Sequence, residues 1–150
     1  MAFTRYYYSS SNFSYAQGMG VLDDHDLYLH VLTSQIEMKE WKRIRRLVDC
    51  RSIQGIEKIT FQGLQRACEI QVEEYGDRDY RCAILINADK HRTLAEFAAH
   101  MLRSGNLKIN VIEDGMDAAL EWLGYDESTA GYLKGKIKRN VRVFGNGLPK

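Results

Sequence analysis

The sequence predicts an α/β domain: a mostly parallel sheet with an N-terminal β-hairpin, about four crossover or packing helices, and a C-terminal extension. Two observations carry that prediction. Cys82 to Ile86 are apolar without interruption and are closed by Asn87-Ala88-Asp89. A half-exposed strand would alternate, so this run reads as a central strand buried on both faces. Apolar residues at helical spacing stand on either side of it, stopped by Gly76 and Gly105. Strands joined by single helices pair in parallel through right-handed crossovers.

The elements follow in order. Phe3, Tyr6, Tyr7 and Tyr8 are divided from Phe13 and Tyr15 by Ser9-Ser10-Ser11-Asn12, the pattern of a hairpin ended by Gly18 and Gly20. Asn12 suits its turn because Asn tolerates a left-handed backbone. Phe13 and Tyr15 share one strand face. Asp23 caps a helix from Asp24 to about Met38, with Leu29, Leu32 and Ile36 as its expected apolar stripe and His25 and His30 at its surface or boundary. Trp41 to Arg46 is a dense basic run, read as a solvated approach to a strand over Arg45 to Cys50. Ser52 to Ile59 reads as a connection. Thr60 caps a second helix to Tyr75, with Phe61, Leu64, Cys68 and Val72 on its stripe.

After the central strand, Thr93 and Glu96 have the spacing of a capping box, and Leu94, Phe97, Ala98, Met101 and Leu102 mark a third helix. Leu107 to Ile112 is a strand. Asp114 is the expected cap of a fourth helix, Met116 to Leu123, which buries Ala119, Leu120 and Leu123 and leaves Trp122 at the boundary. The boundaries are a domain over residues 1–125 and an extension over 126–150. In the extension, Ala130, Leu133 and Ile137 have helical spacing, and Val141 to Phe144 reads as extended.

Bulk properties narrow the function. The 150 residues are 45% apolar and 27% charged, ordinary for one globular domain able to build its own core. A net charge of +1 argues against bulk attraction to nucleic acid or anionic membrane. The four basic residues of the Trp41 to Arg46 run carry no aromatic stacking pattern and no known nucleic-acid motif follows, so no nucleic-acid partner is expected. Cys50, Cys68 and Cys82 form no C-x-x-C pair and read as small buried hydrophobes in a reducing compartment. Met1 to Tyr8 lacks the apolar core of a signal peptide, and no apolar run approaches the ~20 residues of a membrane helix. A soluble, cytoplasmic protein without membrane insertion is the expectation.

Three stretches resemble the SpoIIAA-like, or STAS-like, proteins, small relatives of bacterial anti-sigma-factor antagonists. Ile109 to Gly124, with Ala118-Ala119-Leu120-Glu121-Trp122-Leu123, is similar to their closing strand and helix. Gly20 to Leu27 resembles the start of their first helix, and Leu47-Val48-Asp49 their Asp-ended strand. The resemblance covers roughly residues 6 to 124 in element order. It implies a non-catalytic regulatory or protein-interaction domain. The antagonist branch carries a phosphorylatable serine in an Asp-Ser-Ser/Thr-Gly-Leu motif. Here Thr60-Phe61-Gln62-Gly63-Leu64 matches only at Gly63-Leu64, so the phosphosite does not carry over and Thr60 reads as a cap.

In open α/β sheets, ligands bind beyond the carboxyl ends of the parallel strands. Those ends carry Asp49 to Ser52, Asn87 to Arg92, and Glu113-Asp114. Arg51, Lys90, His91 and Arg92 are the candidate ligand-binding residues there, since helix starts also attract anions. No catalytic residue is assigned: His91 has no accompanying nucleophile or metal set, and the phosphate-loop, dinucleotide, zinc-protease and nucleophile-elbow motifs do not occur. No metal or cofactor is expected. The partner is a protein or a small anionic or apolar ligand, with a homodimer through the hairpin or the tail as a further expectation. The function is a STAS-like regulatory or interaction module; the alternative is a carrier of a small ligand or lipid.

Overall fold

The computed structural model describes residues 2–87 and 89–141. The chain runs β1 (Phe3–Tyr8), a short 3-10 turn (Ser9–Ser11), β2 (Phe13–Asp23), α1 (Asp24–Glu37), β3 (Arg43–Lys58), α2 (Phe61–Tyr75), β4 (Asp79–Leu85), α3 (Arg92–Ser104), β5 (Lys108–Ile112), α4 (Met116–Trp122) and α5 (Glu127–Asn140). The strands form one sheet in chain order; β1 is antiparallel to β2, and every other neighbouring pair is parallel. Such a sheet steps in the same direction at each crossover. With one hand for every crossover, the three connecting helices must share a face. Residues of α1, α2 and α3 accordingly bury Met38, Leu64, Cys68, Ala99 and Leu102 against Ile44, Cys82, Ile84 and Ile86. The opposite face packs Leu47, Ala83 and Leu85 under Leu120, Leu123, Leu133 and Ile137 of α4, α5 and their junction.

The Cys82 to Ile86 run covers the end of β4, an interior strand beside the central β3 and not the central strand itself, and it is buried on both faces as its composition requires. Ile84 and Ile86 go to the three-helix face, Ala83 and Leu85 to the other, and all are buried. Asn12 takes the left-handed conformation expected of it, with φ 55°. Asp23 caps α1: its carboxylate accepts from the Asp26 N–H at 2.9 Å, and the Asp26 carboxylate accepts from the Asp23 N–H at 3.0 Å. Thr60 caps α2, its Oγ1 accepting from the Gly63 N–H at 3.0 Å while donating to Asp24 at 2.5 Å. A Cβ on Gly63 would overlap the Asp24 carboxylate, so a side chain there would push Asp24 away from its bonds to Thr60.

Several expectations are corrected. The apolar stripe of α1 is not Leu29, Leu32 and Ile36: Leu29 is 48% and Ile36 73% exposed, while His30, Val31 and Ser34 are buried. Leu27, Val31, Ser34 and Met38 also recur at helical spacing, and the Asp24–Thr60 bonds fix the helix in the rotation that buries this second stripe. His30 is therefore a core residue, not a surface or boundary one. Gly18 and Gly20 do not end β2, and Ser52 to Ile59 is not a loose connection. Each is the other's partner: Met19 pairs with Ser52, Gly20 with Ile53, and Asp23 with Lys58. The basic run is not a solvated approach, since β3 begins at Arg43 and both Arg45 and Arg46 are buried.

Thr93 and Glu96 form no capping box, because α3 starts at Arg92 and Thr93 already lies inside it; His91 stands at the N-cap with φ 61°. Asp114 lies one residue too early to cap α4. Gly115 takes the cap position at φ 101°, a backbone conformation glycine adopts without penalty. Val141 is helical and ends α5, against the extended reading; residues 142–144 lie outside the described residues.

Candidate functional site

Two places in the fold gather polar groups, one on each side of the sheet. The first is the strand-end edge beneath α5. Asp49, at the point where β3 leaves β4, is buried and points to the α5 side. Its carboxylate accepts from the Tyr15 hydroxyl at 2.7 Å and from the Arg51 guanidinium at 2.9 Å through both oxygens. Burial, then the Asp49 charge, pushes the Tyr15 phenol upward, so it stays a donor. The set is satisfied within itself. Lys134, Lys138, Gln17 and Asn87 border an open groove beside it.

The predicted ligand residues do not converge. Arg51 belongs to this edge and is held by Asp49. Arg92 sits at the start of α3 among Asp89, Glu96 and Glu113, all within ion-pair reach. Lys90 is exposed. His91 lies across the sheet, where its Nε2 donates to the Ile53 carbonyl at 3.1 Å and its side chain lines the second place.

That second place is a cavity of about 130 Å³ between the sheet and the three-helix layer. Its wall is apolar: Leu27, Val48, Leu64, Ile84, Ile86 and Leu94 contribute to it. All three cysteines line it as well. Burial raises Cys50 and Cys68 to about 12, so these thiols stay protonated and behave as apolar surface.

Arg46, His30, Gln71 and His91 break the apolar lining, and Arg46 and His30 are the buried ones. β3 alternates Ile44, Arg46, Val48 and Cys50 toward this face, and the alternation carries Arg46 into the interior with 2% of its surface exposed. Its guanidinium donates to Gln71 at 3.2 Å and Tyr80 at 3.3 Å, contacts His30 Nε2 at 3.1 Å, and lies 5.7 Å from the Tyr75 ring centre. All these partners are neutral. Arg45, one residue earlier on the other face, contrasts with it by reaching Asp79 at 2.9 Å. Glu74, close in sequence to the Arg46 partners, is engaged by Arg78 and Gln35. No carboxylate accepts from Arg46 among the described residues.

His30 completes the pair. It is 6% exposed and stacks on Phe3 with ring centres 4.1 Å apart. A guanidinium can only donate, so His30 Nε2 is the acceptor and the proton sits on Nδ1. Burial, then the Arg46 and Arg5 charges, holds the imidazole well below its ordinary pKa and therefore neutral. Arg46 Nε and His30 Nδ1, both buried donors, find no hydrogen-bond partner among the described residues.

Neither residue was picked out from the sequence. The signal for Arg46 was its parity with Ile44 and Val48 in a strand; the signal for His30 was its position beside Val31 on the Leu27–Ser34 stripe. Among the described residues no cluster of three His, Cys, Asp or Glu side chains could hold a metal ion, and no helix is long and apolar enough to cross a membrane.

No family profile matches the chain, and no curated protein does. Among solved structures it is similar to an uncharacterised protein of the DUF3478 family from Shewanella loihica PV-4, described as having a SpoIIAA-like fold. The likeness covers 74% of this chain and 83% of that one, at 18% identity and a TM-score of 0.53. The fold is thus SpoIIAA-like, as the motifs in the sequence suggested.

Proposed function

We propose that this domain is a non-catalytic binding module that holds a small, largely apolar molecule between its sheet and its three-helix layer. One observation carries the reading: an apolar cavity of about 130 Å³ with a buried arginine in its wall. A close-packed core normally leaves few voids of this size. A cavity of ~150 Å³ lined by aliphatic and aromatic side chains stays dry and takes up benzene. The protonated thiols and the neutral imidazole at the wall supply no activated nucleophile, which supports binding over turnover. The test is a titration with 1-hexanol or benzene, followed by methyl chemical shifts. Perturbations centred on Leu64, Ile84 and Ile86, and abolished by the filling substitution Ala98→Leu, support the reading. Unmoved methyls at saturating ligand overturn it.

A second reading, a protein-interaction module, is favoured by α1. Tyr28, Leu29, Leu32 and Ile36 lie along one side of the helix, with Tyr28, Leu29 and Ile36 each at least 44% exposed. An exposed apolar stripe of this kind is typical of a docking face. Light scattering of the wild type and of the Leu29→Glu/Ile36→Glu variant separates the possibilities: a change in mass between them places self-association on α1, and identical monomers remove it.

A further inference from the structure

We propose that the cavity selects a carboxylate: a compact monoanion of about six carbons whose tail fills the apolar space and whose head is received by Arg46. The inference rests on the cavity being a binding site and goes on to specify the chemistry of its occupant.

Arg46 brings a charge and an unmatched donor to the cavity wall. Arginine keeps its charge at any physiological pH and has no acceptor. Removing such a charge from water is costly unless an anion or a full set of hydrogen bonds replaces hydration. Arg46 has neutral partners only, and its Nε–H is left without one. Arg46 lines the cavity. A buried positive charge with no carboxylate against it among the described residues calls for a group that is negative and accepts only. An ionised carboxylate fits that description; an amine fails on charge, and an alcohol satisfies at most part of it.

Size bounds the rest of the molecule. A space of about 130 Å³ compares with the ~150 Å³ that holds benzene, which points to hexanoate or benzoate as suitable probes.

The experiment is calorimetric titration of the intact protein with hexanoate, benzoate, 1-hexanol and hexylamine at neutral pH. The expected order is carboxylates first, at least tenfold tighter than 1-hexanol, with hexylamine showing no binding. Arg46→Met should abolish the advantage of hexanoate over 1-hexanol. Should that variant fail to fold, the ligand series on the wild type still decides the matter. Equal affinity for 1-hexanol and hexanoate would overturn the carboxylate assignment while leaving the apolar binding module intact. No heat from any of the four would overturn both.

Discussion

Lowering the pH should destabilise this protein through His30 before its carboxylates come into play. His30 is buried and neutral in the fold, held well below its ordinary value of 6.5 by burial and by the Arg46 and Arg5 charges. The unfolded chain has no such restraint and takes up the proton as the pH falls through about 6.5. The unfolded state then binds more protons than the folded state, so stability is fully present above that range and is lost as the pH drops toward the depressed folded value. At pH 5.5 the loss relative to pH 8 is about 1.4 kcal/mol for one such group. That is a sizeable part of the roughly 5–15 kcal/mol typical of a domain. The carboxyls of Asp23, Asp79 and Asp126 are shifted downward from 3.8, so they act in a lower range. Urea unfolding between pH 8 and 5.5 measures the effect. His30→Gln, which keeps an acceptor for Arg46 and cannot titrate, is the reference. The stability difference between the two proteins should shift by about 1.4 kcal/mol across that range. Parallel pH curves would refute the neutral, buried imidazole on which the site rests.

Further outcomes follow from the packing. Leu85→Ala should cost about 2–5 kcal/mol in denaturant unfolding, because Leu85 is fully buried on β4 between β3 and β5. Leu133→Ala should cost a similar amount, since Leu133 is equally buried in the same cluster; a loss below about 1 kcal/mol would mean that α5 is an appendage and not part of the core. Thr60→Ala should cost about 1 kcal/mol in the same assay, the value of a helix cap, and no loss would show that the Thr60–Asp24 contact does not anchor α2.

What was legible in the sequence was local. Cys82 to Ile86 needed no partner to be recognised, since an unbroken apolar run must be buried on both sides wherever it sits. Asn12, Asp23 and Thr60 act on their own backbone or within one turn, so their residue types sufficed. The phase of α1 was different: two stripes, Leu29–Ile36 and Leu27–Met38, satisfy the same periodicity, and a contact from Thr60 far along the chain selects between them. The second half of β3, rich in Ser, Gln, Gly and Glu, carries little strand signal and becomes a strand because β2 runs beside it. Arg51, Lys90, His91 and Arg92 were expected to meet at the strand ends, yet opposite faces of the sheet separate Arg51 from His91. The charge that does enter the interior belongs to Arg46. It was concealed in a basic run, where a count of charges says surface and only the alternation of β3 says core.

The position that a small carboxylate takes in the protein tests the cavity most directly. Intermolecular nuclear Overhauser effects between hexanoate and the methyl-labelled protein measure that directly. The terminal methyl of hexanoate should show contacts to Ile84, Ile86 and Leu64, and its head-group methylene to Val31 beside His30. Contacts instead to Ile137 at the groove under α5, or to Leu29 and Ile36 on the outside of α1, would place binding elsewhere and contradict the assignment of the cavity as the site.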